Sequence, residues 1–276
     1  MVASNLHAAF AVVAALPPDG LRPQRAVRSG TRTRDGDRHL QSRATGPIER
    51  GHANHPMSRD LVIVGNGQMA ELFCSQFTHN TDYRVVGFSI GRELVAGDAL
   101  LGLPLVPLEE LRTKFPPEST EAFIAVGPVK NNAVRAALFD DLRRHGYRLA
   151  NLISPKAVVS PDVTMGENVV VGHLSVISSW CRIGDGVVIG STTNIGHHCR
   201  IRGHAFLAGH TVLAGSVDVG ERAFIGTGVT IRDNVTIGAA SVVGAGATIL
   251  GDVEPNSVYA AERGRKLSIA ADQIRL

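Results

Sequence analysis

The sequence of 276 residues predicts two folds in series, an α/β domain followed by an all-β solenoid of short strands. Three observations support this prediction. An aliphatic residue recurs every six positions from Ile153 to Ile249. Ahead of this repeat, a short apolar run at 61–64 leads directly into a glycine-rich turn and an amphipathic segment. Aromatic residues make up only 5% of the chain, which suits a core too narrow for large rings.

The six-residue repeat defines the second domain, which we expect to span 151–258. A period of six fits neither an α-helix nor an ordinary strand, so it indicates a solenoid of short strands. The pattern resembles the left-handed parallel β-helix, in which three hexads form one triangular coil, and seventeen hexads make about six coils. The small residue four positions after each aliphatic residue is expected to point inward as well. Cys181 and Cys199 occupy this small position, so we interpret them as core residues and not as a disulfide. The aliphatic residues are Ile153, Val159, Met165, Val171, Ile177, Ile183, Ile189, Ile195, Ile201, Leu207, Leu213, Val219, Ile225, Ile231, Ile237, Val243 and Ile249.

The segment 58–150 is predicted to be a small Rossmann-like domain. We expect strands at 61–64, 83–90, 104–106 and 121–126, and helices from Met69, near 108–111 and from Asn132 to about His145. The segment is too short for a complete six-stranded dinucleotide fold, so a nicotinamide cofactor is not expected. Glycines that allow a tight turn before a helix N-terminus favour a phosphate. The predicted sugar-nucleotide pocket consists of Gly65, Asn66, Gly67, Gln68 and Gly127. A domain that serves only for packing is the alternative.

The first 57 residues differ in composition from the rest of the chain. They contain eight arginines and no lasting periodicity, whereas the remainder holds 20 Lys and Arg against 21 Asp and Glu. The near-neutral body gives no indication of a nucleic-acid partner. We interpret 1–57 as disordered or as an incorrectly assigned extension before Met57, with a transit peptide left open, and 259–276 as a C-terminal tail. Three cysteines without metal-type spacing favour a cytoplasmic protein without a membrane span.

Four of the eleven histidines fall within fourteen residues, namely His197, His198, His204 and His210. They occupy the third and fourth hexad positions, so we expect them on the outside of the prism. Stacking at eighteen residues places Trp180, the only tryptophan, next to His198. Because an exposed tryptophan is costly unless it is covered, we expect a subunit interface there. A histidine can act as the general base for an amine or hydroxyl that attacks a thioester.

With both domains considered, the chain resembles the bacterial sugar acyltransferases that join a small Rossmann-like domain to a left-handed β-helix. This family includes sialic-acid O-acetyltransferases and nucleotide-aminosugar N-acetyltransferases. The resemblance covers about 59–258 and rests on residues 62–71, 78–88 and 123–127, the turn at 194–199 and the final hexads.

The resemblance implies a homotrimer with acetyl-CoA in the groove between subunits and the sugar nucleotide in the first domain. The family's catalytic histidine matches His197, but its acidic neighbour is replaced by His198, which therefore becomes a rival for the role. The family's contacts to coenzyme A imply Gly215, Thr227, Gly228 and Ala245 as cofactor-binding residues. The usual closing turn of the family is absent here.

We therefore expect an acetyl-CoA-dependent acetyltransferase that serves surface polysaccharide or glycan synthesis. The acceptor is an amine or hydroxyl of a nucleotide-linked or sialic-acid-type sugar, His197 is the general base, the acetyl group is transferred directly, and no metal is required. Two alternatives remain open. One is a zinc enzyme like the β-helix carbonic anhydrases, with histidine ligands from two subunits. The other is a non-catalytic solenoid scaffold.

Overall fold

The structure is a computed structural model that describes residues 59–262. The interpretation of 1–57 lies outside the described residues, as does most of the C-terminal tail. No helix within 59–262 combines the length and the apolar character that crossing a membrane requires.

A five-stranded sheet forms the centre of the first domain. Its strand order is β3-β4-β2-β1-β5, and all neighbours are parallel except the antiparallel pair β3 and β4. The chain moves from β1 to β2 on one side and later returns to β5 on the other side. The carboxyl ends of β1 and β5 therefore form the switch point where open α/β sheets bind ligands. The strands are β1 (Arg59–Val64), β2 (Tyr83–Ile90), β3 (Ala99–Leu100), β4 (Leu103–Pro107) and β5 (Thr120–Ile124).

Three helices accompany this sheet: α1 (Gln68–Asn80), α2 (Leu111–Lys114) and α3 (Ala133–Arg144), with 3-10 turns at Arg92–Leu94 and Leu108–Glu110. Helix α1 buries Phe73 and Phe77, whose rings pack edge-on against Phe123 of β5 at 5.3 and 4.8 Å. This packing holds the N-terminus of α1 at the carboxyl edge of the sheet. The sequence did not predict β3, because two residues that belong to no repeat leave no pattern.

Seventeen two-residue strands follow, and each one ends on an aliphatic residue of the predicted repeat. They stack as three parallel sheets in which each strand pairs with the strand eighteen residues later, as Ile177 does with Ile195. From Val171 onward every aliphatic residue of the repeat is buried, which confirms the left-handed β-helix fold. Cys181 and Cys199 are buried free thiols inside it, as expected. The strands are β6 (Leu152–Ile153), β7 (Val158–Val159), β8 (Thr164–Met165), β9 (Val170–Val171), β10 (Val176–Ile177), β11 (Arg182–Ile183), β12 (Val188–Ile189), β13 (Asn194–Ile195), β14 (Arg200–Ile201), β15 (Phe206–Leu207), β16 (Val212–Leu213), β17 (Asp218–Val219), β18 (Phe224–Ile225), β19 (Thr230–Ile231), β20 (Thr236–Ile237), β21 (Val242–Val243), β22 (Thr248–Ile249) and, after the repeat ends, β23 (Val258–Tyr259).

The turns between strands build three corners of the prism, and most of them place one residue in the left-handed backbone region. The histidine corner consists of the turns after β10, β13 and β16, and the third corner of the turns after β12, β15, β18 and β21. The docking corner consists of the turns after β11, β14, β17 and β20. Between the histidine corner and the docking corner runs the sheet of β8, β11, β14, β17 and β20, which we call the arginine face.

The first domain is attached to the docking corner. The buried side chain of Arg135 in α3 donates to the main-chain oxygen of Val126 at 3.2 Å and to that of Gly186 at 2.6 Å. Asn131 and Asn132 donate to the main-chain oxygens of Ala240 and Arg222 in later turns. The outer residues of three β-helix strands, Leu152, Val170 and Val188, also belong to the hydrophobic core of the first domain. The two domains therefore share a core and hold a fixed relative orientation.

Candidate active site

His197 and His198 form a hydrogen-bonded pair at the histidine corner. Their Nδ1 atoms lie 3.0 Å apart, and the two rings are nearly perpendicular with centroids 5.1 Å apart. Trp180, one coil earlier, packs against the His198 ring at 4.7 Å, as its eighteen-residue spacing predicts. His198 therefore lies between an indole ring and the second imidazole, which restricts its orientation.

The contact between the two Nδ1 atoms is a hydrogen bond only if one proton lies between them. A neutral imidazole carries one N–H and one acceptor nitrogen, so one ring must donate while the other accepts. If His197 donates through Nδ1, its Nε2 is left with a free lone pair and can accept a proton from a substrate. In the opposite arrangement, the Nε2 of His198 has that free lone pair. Geometry alone leaves both arrangements available.

Gly215 lies directly beneath the His197 ring. A Cβ atom built on Gly215 would come within 2.6 Å of Cε1 and 2.8 Å of Nε2 of His197, closer than side chains approach. A main-chain ladder holds this column of turns in register, because Ser216 N donates to His197 O at 2.8 Å and His198 N donates to Ser179 O at 3.0 Å. Glycine at 215 thus lets the His197 ring rest on the backbone of the next coil.

An open cavity of about 500 Å³ adjoins His198 on the arginine face. It is lined by Trp180, Arg182, Arg200, Ser216, Val217 and Asp218 beside His198. The sequence reading missed the charged residues of this cavity. They lie one position before the repeat's aliphatic residue in β11, β14 and β17, at the eighteen-residue spacing that revealed the neighbour of His198, so the same spacing could have found them.

The other two histidines lie at the other two corners of the prism. His204 lies at the docking corner, where its ring packs edge-on against Phe139 of α3 at 5.3 Å. Burial, followed by the charge of Arg135, lowers the pKa of His204. His210 is exposed at the third corner. Residues six apart in a triangular coil lie at successive corners, so these histidines are close in sequence but distant in space.

The residues implied as contacts to coenzyme A lie at two different corners. Gly215 is at the histidine corner, whereas Thr227, Gly228 and Ala245 lie exposed at the third corner, where Gly246 N donates to Thr227 O at 2.8 Å. One chain does not bring these two groups together. A ligand that contacts both groups needs a second subunit whose third corner faces this histidine corner.

Of the five residues predicted for the sugar-nucleotide pocket, Gly65, Asn66, Gly67 and Gln68 follow the carboxyl end of β1 directly, and Gly127 lies three residues beyond the end of β5. Gly65 has a φ of 143°, and a Cβ there would lie 2.8 Å from Ala125 O, so only glycine permits this approach of the two strand ends. Asn66 donates to Leu94 O at 3.0 Å, which ties the turn to the loop after β2. Gly67 precedes α1, and Gln68 is exposed at its start.

Proteins of known structure that resemble this chain include acetyltransferases. The family model described as bacterial transferase hexapeptide (six repeats) matches residues 216–251. PerB from Caulobacter crescentus, solved with CoA and GDP-perosamine, is 32% identical over 73% of this chain and 94% of its own, with a TM-score of 0.66. A mutant of the perosamine N-acetyltransferase from the same organism, with the same ligands, is 31% identical over 73% and 93%, with a TM-score of 0.64.

A third similar structure is the acetyltransferase domain of PglB from Neisseria gonorrhoeae in complex with acetyl coenzyme A. It is 25% identical over 76% of this chain and all of its own, with a TM-score of 0.67. No curated protein matches the sequence significantly. The identity of 32% across 94% of PerB establishes that this chain belongs to the hexapeptide-repeat sugar acyltransferases.

Proposed function

We propose that this protein transfers an acetyl group from acetyl-CoA to the amine of a nucleotide-linked amino sugar. The observation that carries the proposal is the hydrogen-bonded pair of His197 and His198 beside an open cavity. The relatives support the substrates, because PerB was solved with CoA and GDP-perosamine and the PglB domain with acetyl coenzyme A. Residues 58–150 then hold the sugar nucleotide and 151–258 carry the transfer. We place the reaction in the cytoplasm, where acetyl-CoA is available.

His197 is the general base in this proposal. Its Nδ1–H donates to His198 Nδ1, and its Nε2 takes the proton from the amine as the nitrogen attacks the thioester carbonyl. The N–C bond forms, the C–S bond breaks, and the coenzyme A thiolate leaves and receives the proton from His197. The acetyl group passes directly between substrates without an acyl-enzyme. This mechanism uses only the side chains at the histidine corner.

His198 acts as the positioning residue. As a neutral acceptor it keeps the His197 proton on Nδ1 and stabilises the imidazolium that forms when Nε2 takes up a proton. Trp180 contacts His198 on its other side, so the acceptor nitrogen stays aimed at His197. In this pair, an imidazole occupies the position for which the family resemblance implies a carboxylate.

The donor groove requires an assembly. We propose a homotrimer in which the third corner of one subunit, with Thr227, Gly228 and Ala245, faces the histidine corner of the next. The indole of Trp180, with 60% of its surface open in the single chain, then lines the groove at this interface. Coenzyme A would run between the two corners and present its thioester above Gly215.

The test is turnover of purified protein with acetyl-CoA and a panel of UDP-, dTDP- and GDP-linked amino sugars, followed through release of the coenzyme A thiol. A general base typically contributes about 100- to 10,000-fold, so His197→Ala should lose activity by that range while the trimer stays intact. His79→Ala is the matched control, because His79 lies at the far end of α1. Turnover by His197→Ala at the control rate would exclude His197 as the base.

The role of His198 has its own test. Loss of one hydrogen bond is worth about 1 kcal/mol, so His198→Ala should lower kcat roughly fivefold with little change in KM. His198→Asn supplies a neutral acceptor and should restore most of that loss. If His198→Ala and His198→Asn are both inactive while His197→Ala keeps its activity, His198 is the general base and His197 the positioning residue.

A further inference from the structure

Two arginines lie side by side on the arginine face. Arg182 and Arg200 are register partners in the parallel strands β11 and β14, so their main chains are about 4.8 Å apart. Neither side chain forms an ion pair with any carboxylate of residues 59–262. Like charges directly opposite on neighbouring strands are destabilising. The fold therefore holds two positive charges together at a cost in stability.

The nearest carboxylate does not neutralise them. Asp218 is the register partner of Arg200 in β17, yet its two oxygens accept from Nε and Nη2 of Arg202 at 2.8 and 2.7 Å. The cavity between Trp180 and Asp218 consequently keeps two guanidinium groups for an external anion. Guanidinium groups bind phosphate oxygens with two parallel hydrogen bonds, so the pair suits a diphosphate.

The position of the pair connects the two halves of the site. Arg182 begins the strand that leaves the histidine corner, and Gly186 lies four residues further on, at the docking corner. Four extended residues span about 13 Å. At Gly186, the side chain of Arg135 joins the β-helix to Val126, next to Gly127 of the nucleotide pocket. The arginines thus lie between the nucleotide pocket and the histidine pair.

We propose that Arg182 and Arg200 bind the diphosphate of the nucleotide-linked sugar, with the sugar ring against Trp180 and its amine at the histidine pair. This inference rests on the proposed function for the identity of the ligand. Acetyl-CoA also carries a diphosphate, but the route along the arginine face from the nucleotide pocket favours the acceptor. The two arginines would then bind the charged diphosphate at the centre of the site, and the pocket of the first domain would bind the nucleotide base at its far end.

The experiment uses the single tryptophan as a reporter. Quenching of Trp180 fluorescence is titrated with the nucleotide sugar that turns over, with GDP, UDP and dTDP, and with inorganic pyrophosphate, in the absence of acetyl-CoA. The variants are Arg182→Gln, Arg200→Gln and the double variant. Arg148→Gln, an exposed arginine of the first domain, is the matched control. The Michaelis constants of both substrates are measured for each protein.

We expect each single variant to weaken binding of the nucleotide sugar roughly tenfold or more, because a hydrogen bond to a charged group is lost. The KM for the nucleotide sugar should rise equally, with the KM for acetyl-CoA and the binding to Arg148→Gln within about twofold of wild type. A rise in the KM for acetyl-CoA instead, or binding that is absent or insensitive to the arginines, overturns the proposal. Arginine-dependent binding without acetyl transfer would refute the proposed function and leave the diphosphate site standing. Normal acetyl transfer that does not depend on the arginines would support the proposed function and refute the diphosphate site.

Discussion

The close contact between Gly215 and His197 makes Gly215→Ala the sharpest perturbation of the histidine pair. The added methyl would stand 2.6 Å from Cε1 and 2.8 Å from Nε2 of His197. Carbon atoms in van der Waals contact are about 3.5–4.0 Å apart, so the ring must move by about 1 Å. His197 is exposed, so it can make that movement without unfolding its coil.

The displacement sets the expected size of the effect. A shift of this size away from Gly215 takes the 3.0 Å contact between the two Nδ1 atoms towards the limit of a hydrogen bond. Misplacing a reacting group by about 1 Å costs roughly 100-fold in rate, which corresponds to about 2.7 kcal/mol. We therefore expect kcat to fall by that order while the thermal midpoint stays near the wild-type value.

The matched control is Gly203→Ala. Gly203 occupies the same hexad position at the docking corner, and a Cβ there would meet only Asp185 O, at an ordinary 3.5 Å. Steady-state kinetics with both substrates, together with thermal unfolding, distinguishes three results. A selective loss of kcat in Gly215→Ala supports the geometry. A higher KM for acetyl-CoA at unchanged kcat would indicate that Gly215 contacts acetyl-CoA but does not position His197. Unchanged kinetics would refute the claim that the placement of His197 limits the rate.

Three further predictions concern stability. Burial lowers the pKa of His204 below its ordinary 6.5, so the unfolded chain binds more protons below that pH, and stability should fall as the pH drops through 6.5 and below. His204→Gln should show a smaller loss of thermal midpoint between pH 7 and pH 5 than wild type, and an equal loss would contradict this reading. Arg135→Met leaves one buried and one partly buried main-chain oxygen without their donor and should cost about 2–4 kcal/mol in urea unfolding, against little change for Arg148→Met. Ala223→Leu overfills a fully buried small position and should cost about 1–3 kcal/mol, whereas a neutral result would mean that the prism can widen.

The repeat made the β-helix predictable almost residue by residue. Each strand needs one inward aliphatic residue and each turn one small residue, so a local pattern determines the coil. All seventeen strands end where the repeat places them. Trp180 beside His198 followed from the same spacing. The left-handed backbone conformation of turn residues such as His198 could not be predicted, because many residue types occupy that position of the repeat here.

Contacts between the domains could not be predicted in this way. Arg135 binds a main-chain oxygen 51 residues away, and nothing in either segment indicates the partner. The sequence places His204 on the outside of the prism but gives no sign that it is covered there. Its burial under Phe139 depends on where α3 docks, which is a property of both domains together. Arg182 and Arg200, by contrast, are eighteen residues apart, so their proximity follows from the repeat alone.

The shared core of the two domains gives a physical reason for placing a nucleotide pocket so far from the reacting group. Arg135 attaches the carboxyl edge of the sheet to the docking corner, and the strands of the arginine face fix the distance from there to the histidine corner. Both ends of the site therefore belong to one rigid frame. Under the proposed function, binding energy from the nucleotide would hold the amine near His197 without any closure of the domains. The width of the arginine face would then determine the distance from the bound nucleotide to His197. Under the proposed function, the same distance would therefore govern which nucleotide sugars place their amine at His197.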